Sequence, residues 1–307
     1  MKKKRLTIFL TVFLFAEAFA LLIGFWPFFF NAKPETRRAL RLGIVPEISE
    51  KKSVEEWSVF FSRFENERLF KVLPYFASSG EEAVNGLAYG SLDMLYTDAG
   101  VYLVLKGKLN SRAIAYQMLD AEEKEKNRAI LVAGPGRRYL SQLKGARLIL
   151  TEKNSLSGSI MPSLYLSGKL KKPLKDCFSS VSYSVSQKNS LEMLKSGQAD
   201  VIALNFMQYT QLIKDFPELD GDYSVIWMSP VLPSPLICTV PTSPLADTDT
   251  VKNFEKELEK ISAKRKYNLN FSSKIFAPVD FEYKKELAEL EKLFDEYKDN
   301  TGGECVK

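Results

Sequence analysis

The stretch that decides the fold is ARLILTEKNSLSGSIMP, at residues 146–162. Its first six residues form an apolar, strand-like run, and Pro162 fits best in the first turn of a helix, where its missing N–H is not needed. Ser155, Ser157 and Gly158 therefore lie where a strand passes into a helix. Free N–H groups and the helix dipole favour an anion at such a place, although an ordinary serine cap followed by a turn glycine gives the same pattern.

Strand-like and helix-like segments alternate on both sides of this stretch. Further strands are predicted at 40–45, 69–76, 92–97, 112–118, 128–133, 181–184, 199–204, 223–227 and 236–240. Helices are predicted at 54–67, 80–88, 160–166, 190–195, 251–261 and 284–297. Such alternation predicts an α/β fold with doubly wound, parallel sheets. Because two extended segments interrupt the alternation before it restarts, we expect two lobes.

The lobe boundaries follow from that interruption. We expect residues 40–115 and 232–275 to form the first lobe, and residues 116–231 to form the second lobe with its hinge crossovers. Residues 276–307 are expected to be a C-terminal helix and tail. Open α/β sheets bind ligands beyond the carboxyl ends of their strands, so the predicted ligand site is a cleft between the lobes.

The N-terminus predicts the compartment. A basic cluster, Lys2–Arg5, precedes an apolar run of membrane length from Leu6 to Phe30. We expect residues 1–32 to be an uncleaved signal anchor, a transmembrane helix that leaves the rest of the chain outside the cytoplasm, in the periplasm or at the cell surface. Ala18-Phe19-Ala20 resembles a cleavage site, so a cleaved signal peptide and a secreted chain remain the alternative.

Composition excludes several function classes. The chain has no histidine, which removes Ser-His-Asp and Cys-His catalysis and histidine-ligated zinc. Its three cysteines lack metal-site spacing. No paired acidic motif stands out, and no basic stripe interleaved with aromatic residues points to nucleic acid. We therefore expect no enzyme activity, no cofactor, no metal and no nucleic-acid partner.

Five short segments together resemble a known family. They are Leu42–Pro46, the stretch Glu82–Tyr102 with Gly90, Asp93 and Tyr102 in register, Leu143–Pro162, Gly197–Asp200 and Ser229–Pro233. In this order and spacing, the chain resembles the phosphate/phosphite/phosphonate substrate-binding proteins of ABC importers over residues 40–275. The resemblance implies a two-lobed periplasmic-binding-protein-like fold of type II.

The resemblance also implies a ligand, a partner and a site. The ligand would be a small oxyanion, and the partner would be an ABC permease in the membrane. The anion would lie on a cradle whose walls carry further polar side chains. The candidate residues are Ser155, Leu156, Ser157, Gly158 and Ser159 in the cradle, Tyr102, Gln187 and Asn205 on or near its walls, and Asp98 beside it.

Three departures from the family pattern fall at these positions. Leu156 stands where the family has threonine, Gln187 where it usually has histidine, and Asp98-Ala99 where Gly-Pro is common. An aspartate would repel an oxyanion unless a cationic group of the ligand or a metal compensates for its charge. Two functions therefore stay open. One is a solute-binding protein that serves an ABC importer, and the other is a membrane-anchored sensor or accessory protein with altered or lost ligand binding.

Overall fold

The computed structural model describes residues 38–45, 50–65, 69–215, 221–243, 245, 249–265 and 274–301. The predicted signal anchor at 1–32 lies outside these residues, as does Pro46. Within the described ranges, no helix is both long and apolar enough to cross a membrane.

Eleven strands and ten α-helices make up the described part of the chain. The strands are β1 (Arg38–Ile44), β2 (Phe70–Phe76), β3 (Met94–Thr97), β4 (Arg112–Gln117), β5 (Ala129–Ala133), β6 (Arg147–Thr151), β7 (Ser180–Ser184), β8 (Val201–Asn205), β9 (Ser224–Met228), β10 (Leu236–Thr239) and β11 (Phe276–Pro278). The helices are α1 (Glu50–Ser62), α2 (Gly80–Ala88), α3 (Ala99–Leu109), α4 (Ala121–Lys126), α5 (Met161–Leu170), α6 (Leu174–Cys177), α7 (Gln187–Lys195), α8 (Phe206–Leu212), α9 (Asp249–Arg265) and α10 (Phe281–Thr301).

The strands form two sheets, and each sheet defines one lobe. The first sheet has the order β11-β4-β10-β3-β1-β2, and the second has the order β7-β6-β8-β5-β9. Parallel pairs such as β1 with β3 and β6 with β8 lie beside antiparallel pairs made by β10 and β5. The chain thus leaves the first sheet after β4 and returns to it at β10, as the interrupted alternation predicts.

Both faces of the first sheet are buried. Met94 and Tyr96 of β3 join a cluster rich in aromatic side chains, which includes Trp57 and Phe276. Leu95, between them, joins the opposite cluster. Successive residues of a strand point to opposite faces, so a strand covered by helices on both sides is apolar throughout.

The second sheet repeats this arrangement. Val201 and Ala203 of β8 pack on one side of the sheet, and Ile202 and Leu204 pack on the other. All four side chains are fully buried. Strand β8 is apolar throughout because both of its faces are covered.

Some elements differ from the sequence-based expectation. Helix α3 was not predicted because its residues are apolar all round, which leaves no 3.6-residue pattern to detect. The short β11 pairs with β4 in the first sheet, although residues from 276 onward were expected to form only a helix and tail. Tyr283 and Phe294 of α10 pack into the core of that lobe. The charged segment before β5 is the short helix α4.

One structural unit occurs in both lobes. In the first lobe, the guanidinium of Arg41 on β1 binds the carboxylate of Asp93, with Nε–Oδ2 2.8 Å. In the second lobe, Arg147 on β6 binds Asp200 in the same way, with Nε–Oδ2 2.9 Å. Each aspartate follows a glycine with positive φ by three residues, at Gly90 and at Gly197. The aspartates of the two Gly-x-x-Asp motifs therefore each link two neighbouring strands within one lobe.

Candidate functional site

The loop after β6 carries the predicted cradle and turns directly into a helix. Residues Leu156–Ile160 form one π-helical turn, which continues into α5 with Pro162 as its second residue. The carbonyl oxygen of Ser155 accepts both the Ser159 N–H (3.1 Å) and the Ile160 N–H (3.0 Å). The turn is wider than an α-helical one because the Ile160 bond spans five residues.

Gly158 is required by the tight packing of this turn. A Cβ on Gly158 would lie 2.5 Å from the carbonyl oxygen of Thr151 and 2.8 Å from the Thr151 Cβ. Both obstacles belong to the end of β6, so neither can move aside without distorting the strand. The glycine therefore lets the turn approach the sheet.

The donors of the turn are only partly engaged. The Ser155 hydroxyl accepts the Gly158 N–H at 3.1 Å, and the Ser159 N–H is used in the turn itself. Ser157 is buried in the first turn of the same segment. The hydroxyl of Ser159, a residue with 0% exposure, has no hydrogen-bond partner among the described residues. Buried donors without partners are uncommon and mark places where a ligand could supply the acceptor.

The Leu156 N–H, by contrast, is taken by Asp98. Asp98 follows β3 and caps α3: its Oδ1 accepts the Val101 N–H at 3.0 Å. Its Oδ2 accepts the Leu156 N–H of the other lobe at 3.1 Å. The Ser155 hydroxyl also hydrogen-bonds this carboxylate. One carboxylate thus joins the start of α3 to the start of the π-helical turn.

Burial sets the protonation behaviour of Asp98. Enclosure of the carboxyl group raises its pKa above the ordinary aspartate value, since the charged form loses water. Hydrogen bonds from Val101, Leu156, Ser155 and Gly100 act in the opposite direction. Neutral donors, and not a basic side chain, therefore stabilise the charged form of Asp98.

Close packing accompanies this contact. A Cβ on Gly100, in the first turn of α3, would lie 2.7 Å from the Asn154 carbonyl oxygen and 2.9 Å from the Leu156 nitrogen. Leu156 and Ile160 share a buried cluster with Ala99 of the first lobe. The two lobes therefore meet directly at this point.

A second carboxyl group lies beside Asp98. Glu152 follows β6 with a φ of +46°, a backbone conformation that is uncommon for a side-chain-bearing residue. A Cβ on Gly80, the first residue of α2, would lie 3.1 Å from Glu152 Oε2. Burial, and secondarily the charge of Asp98, raises the pKa of Glu152 to about 7. The region thus holds two carboxyl groups whose pKa values are both raised by burial.

The predicted wall residues are placed differently from one another. Gln187 and Asn205 come together, because Gln187 Oε1 accepts the Asn205 N–H at 2.8 Å. The Asn205 amide donates to Asn127 at 3.0 Å, and Asn127 donates in turn to the carbonyl oxygen of Leu232 in the return crossover. These amides connect the end of β8 to the crossover.

Tyr102 is buried in α3 and shares an apolar cluster with Leu156 and Ile160 of the turn. Its phenol oxygen interacts with the Ala113 N–H on β4 within the first lobe, and burial raises the pKa of Tyr102. A position of Tyr102 on or near the walls of the cradle stays a prediction.

Sequence reasoning did not single out Asn127 or Glu152. Asn127 lies shortly before β5, and Glu152 directly follows β6. A polar residue that borders a buried strand is a usable signal of a site. The positive φ of Glu152 leaves no mark in the sequence. Within the described ranges, no group of three or more Cys, Asp or Glu side chains is placed to hold a metal ion.

Comparison with known proteins was made for the sequence and for the fold. Residues 42–281 match the family model described as ABC transporter, phosphonate, periplasmic substrate-binding protein. The phosphonates-binding periplasmic protein of Escherichia coli strain K12 is 24% identical over 205 residues, which cover 65% of this chain. The match spans 60% of that relative, less than two thirds of its length.

Two solved structures share the fold. A binding protein component of an ABC phosphonate transporter from Pseudomonas aeruginosa has a TM-score of 0.69 at 17% identity, covering 86% of this chain and 88% of its own. A protein from Prochlorococcus marinus in complex with methylphosphonate has a TM-score of 0.67 at 16% identity, covering 86% and 99%. The expected two-lobed periplasmic-binding-protein fold is confirmed.

Proposed function

Because the chain belongs to the family of periplasmic substrate-binding proteins of phosphonate ABC transporters, we propose that it captures a small oxyanion of the phosphonate type in a cleft between its lobes and delivers it to an ABC permease. Members of this family are binding components of transporters and not enzymes. Capture needs only donors in the correct place and closure of two lobes.

The π-helical turn carries this proposal. The buried Ser159 hydroxyl has no hydrogen-bond partner among the described residues, and Ser157 is buried two residues earlier, at the start of a continuous helical segment. An oxyanion there would gain neutral donors and the positive end of the helix dipole. Gly158 supports the arrangement by keeping the turn against β6.

The location follows from the family and the N-terminal sequence together. A periplasmic family places the lobes outside the cytoplasm. We propose in addition that residues 1–32 remain attached as a membrane anchor, with Lys2–Arg5 on the cytoplasmic side. The anchor would keep the binding lobes close to the permease.

A second function is favoured by one specific contact. The bond between Asp98 and Leu156 uses a donor of the proposed cradle. A sensor or accessory protein of the same fold, with altered or lost ligand binding, would be compatible with that bond.

Thermal unfolding of the full-length chain in detergent separates the two functions. Methylphosphonate, phosphate and sulfate would each be added at concentrations up to several millimolar. A ligand at about 100 times its dissociation constant stabilises the folded state by about 2.7 kcal/mol. We expect methylphosphonate to raise the unfolding temperature and sulfate to raise it least. If no oxyanion raises the unfolding temperature, the accessory function replaces the transport function.

A further inference from the structure

Asp98 occupies one backbone donor of the turn, the N–H of Leu156. Its Oδ2 lies 3.1 Å from the Leu156 nitrogen, which is the donor–acceptor distance that a phosphonate oxygen would have at the same N–H. The Ser155 hydroxyl supplies a second hydrogen bond to the same carboxylate. A carboxylate and a phosphonate are both anionic acceptors, so they compete for one N–H.

We propose that Asp98 is an intramolecular competitor of the ligand, which holds the two lobes together without a ligand and lowers the affinity for oxyanions. The inference rests on the proposed function for its effect on affinity. Its effect on lobe closure is independent of any ligand.

The two oxygens of Asp98 have separable roles. Oδ1 caps α3 through the Val101 N–H, and Oδ2 crosses to Leu156 in the second lobe. A cap needs only one oxygen, and serine is as good a cap as aspartate. Asp98→Ser therefore keeps the start of α3 and removes the contact between the lobes.

The surroundings explain why one carboxylate can act in this way. Gly100 lets the first turn of α3 approach the Asn154 carbonyl to within contact distance. Leu156 and Ile160 share a buried apolar cluster with Ala99 and Leu103 of α3. The apolar contact is compatible with closure of the two lobes. The hydrogen bond between Asp98 and Leu156 gives that contact a fixed geometry.

Two measurements on the full-length chain test the inference. Small-angle scattering without ligand gives the radius of gyration, and titration calorimetry with methylphosphonate gives the affinity. The variants are Asp98→Ser and Asp98→Asn, which also keeps the cap oxygen but carries no charge. The control is Asp120→Ser, the same change at the exposed cap of α4.

We expect both Asp98 variants to have a larger ligand-free radius of gyration than wild type and Asp120→Ser. We also expect them to bind methylphosphonate at least tenfold more tightly. Unchanged radius and affinity in both Asp98 variants, with native circular dichroism, would overturn the inference, and so would weaker binding. If the variants expand but no protein binds methylphosphonate, closure by Asp98 is supported and the proposed transport function fails.

Discussion

The Asp98 carboxylate accepts the backbone N–H of Leu156 at 3.1 Å, across 58 residues of sequence and between two lobes. It places a carboxyl oxygen of the protein itself on the turn that the family resemblance assigns to the anion. Under the proposed competition between Asp98 and the ligand, this hydrogen bond would couple ligand binding to lobe closure.

Ser157→Ala should weaken oxyanion binding by at least about tenfold. A hydrogen bond to a charged group contributes about 1.5–3 kcal/mol, and 1.4 kcal/mol corresponds to a factor of ten. Titration calorimetry with methylphosphonate measures the change. Ser196→Ala, an exposed serine at the end of α7, is the matched control and should bind like wild type. Tight binding of phosphate that Ser157→Ala leaves unchanged would contradict the cradle.

Gly158→Ala should destabilise the fold by about 1–3 kcal/mol, the usual cost of forcing a methyl group into a packed site. The added Cβ would lie 2.5 Å from the Thr151 carbonyl oxygen. Urea unfolding measures the change. The control is Gly168→Ala in α5, where an added Cβ meets nothing within 4 Å. This substitution should stabilise the helix by about 0.5–1 kcal/mol. Equal effects of the two substitutions would show that Gly158 is not packed as described.

Glu152 should make stability fall as pH rises. Its pKa is raised from 4.5 to about 7 in the folded protein, so folding favours the protonated carboxyl group. The stability is therefore fully present below about pH 4.5 and is lost as pH rises to about 7, by at most about 3 kcal/mol. Asp200, whose pKa is lowered to about 2, acts in the opposite direction but only below about pH 4.

Urea unfolding of Glu152→Gln at pH 5 and pH 8 isolates this effect. The variant should lose less stability than wild type between the two pH values, because its amide cannot ionise. Glu289→Gln, an exposed position on α10, is the control and should follow wild type. A wild-type pH profile in Glu152→Gln would mean that the carboxyl group of Glu152 is not enclosed.

Ligand preference should reflect the two carboxyl groups. A plain phosphate dianion meets the charges of Asp98 and Glu152, whereas an aminoalkylphosphonate brings an ammonium group that offsets them. We expect 2-aminoethylphosphonate to bind at least about tenfold more tightly than phosphate, a difference of about 1.4 kcal/mol. Competition calorimetry at pH 8 measures the ratio. Stronger binding of phosphate would show that the carboxyl groups do not face the ligand.

The N-terminal segment should remain on the mature chain. The run from Leu6 to Phe30 is of membrane length, and a cut after Ala20 would leave a strongly apolar terminus. We expect the protein in the membrane fraction, with an intact mass that includes residues 1–32. A mature mass that begins near Leu21 or Lys33 would instead establish a signal peptide.

Much of the fold was predictable from local patterns. The strand at 147–151, the turn at 155–158 and the helix after Pro162 follow from apolar runs, capping residues and the conformational limits of proline. Gly90-x-x-Asp93 and Gly197-x-x-Asp200 were visible as parts of the segments that carry the family resemblance. Each of these features depends on residues that are close in sequence.

Other features could not be predicted because they depend on distant contacts. Residues 99–105 of helix α3 are apolar on all sides, so no helical periodicity marks them in the sequence, although the last turn carries the exposed Lys106 and Lys108. The interaction of the Tyr102 hydroxyl with Ala113 on β4 likewise has no mark in the sequence. The tertiary fold determines which of several possible partners a polar side chain contacts.

The α/β class, the two-lobed division and the absence of histidine chemistry follow from composition and local pattern. The contact of Asp98 with Leu156, the burial of Glu152 beside it, and the hydrogen bonds that join Gln187 and Asn205 to the crossover appear only in the folded chain. Hydrogen bonds and desolvation depend on which groups meet in space, and residues 58 positions apart meet only when both lobes are assembled.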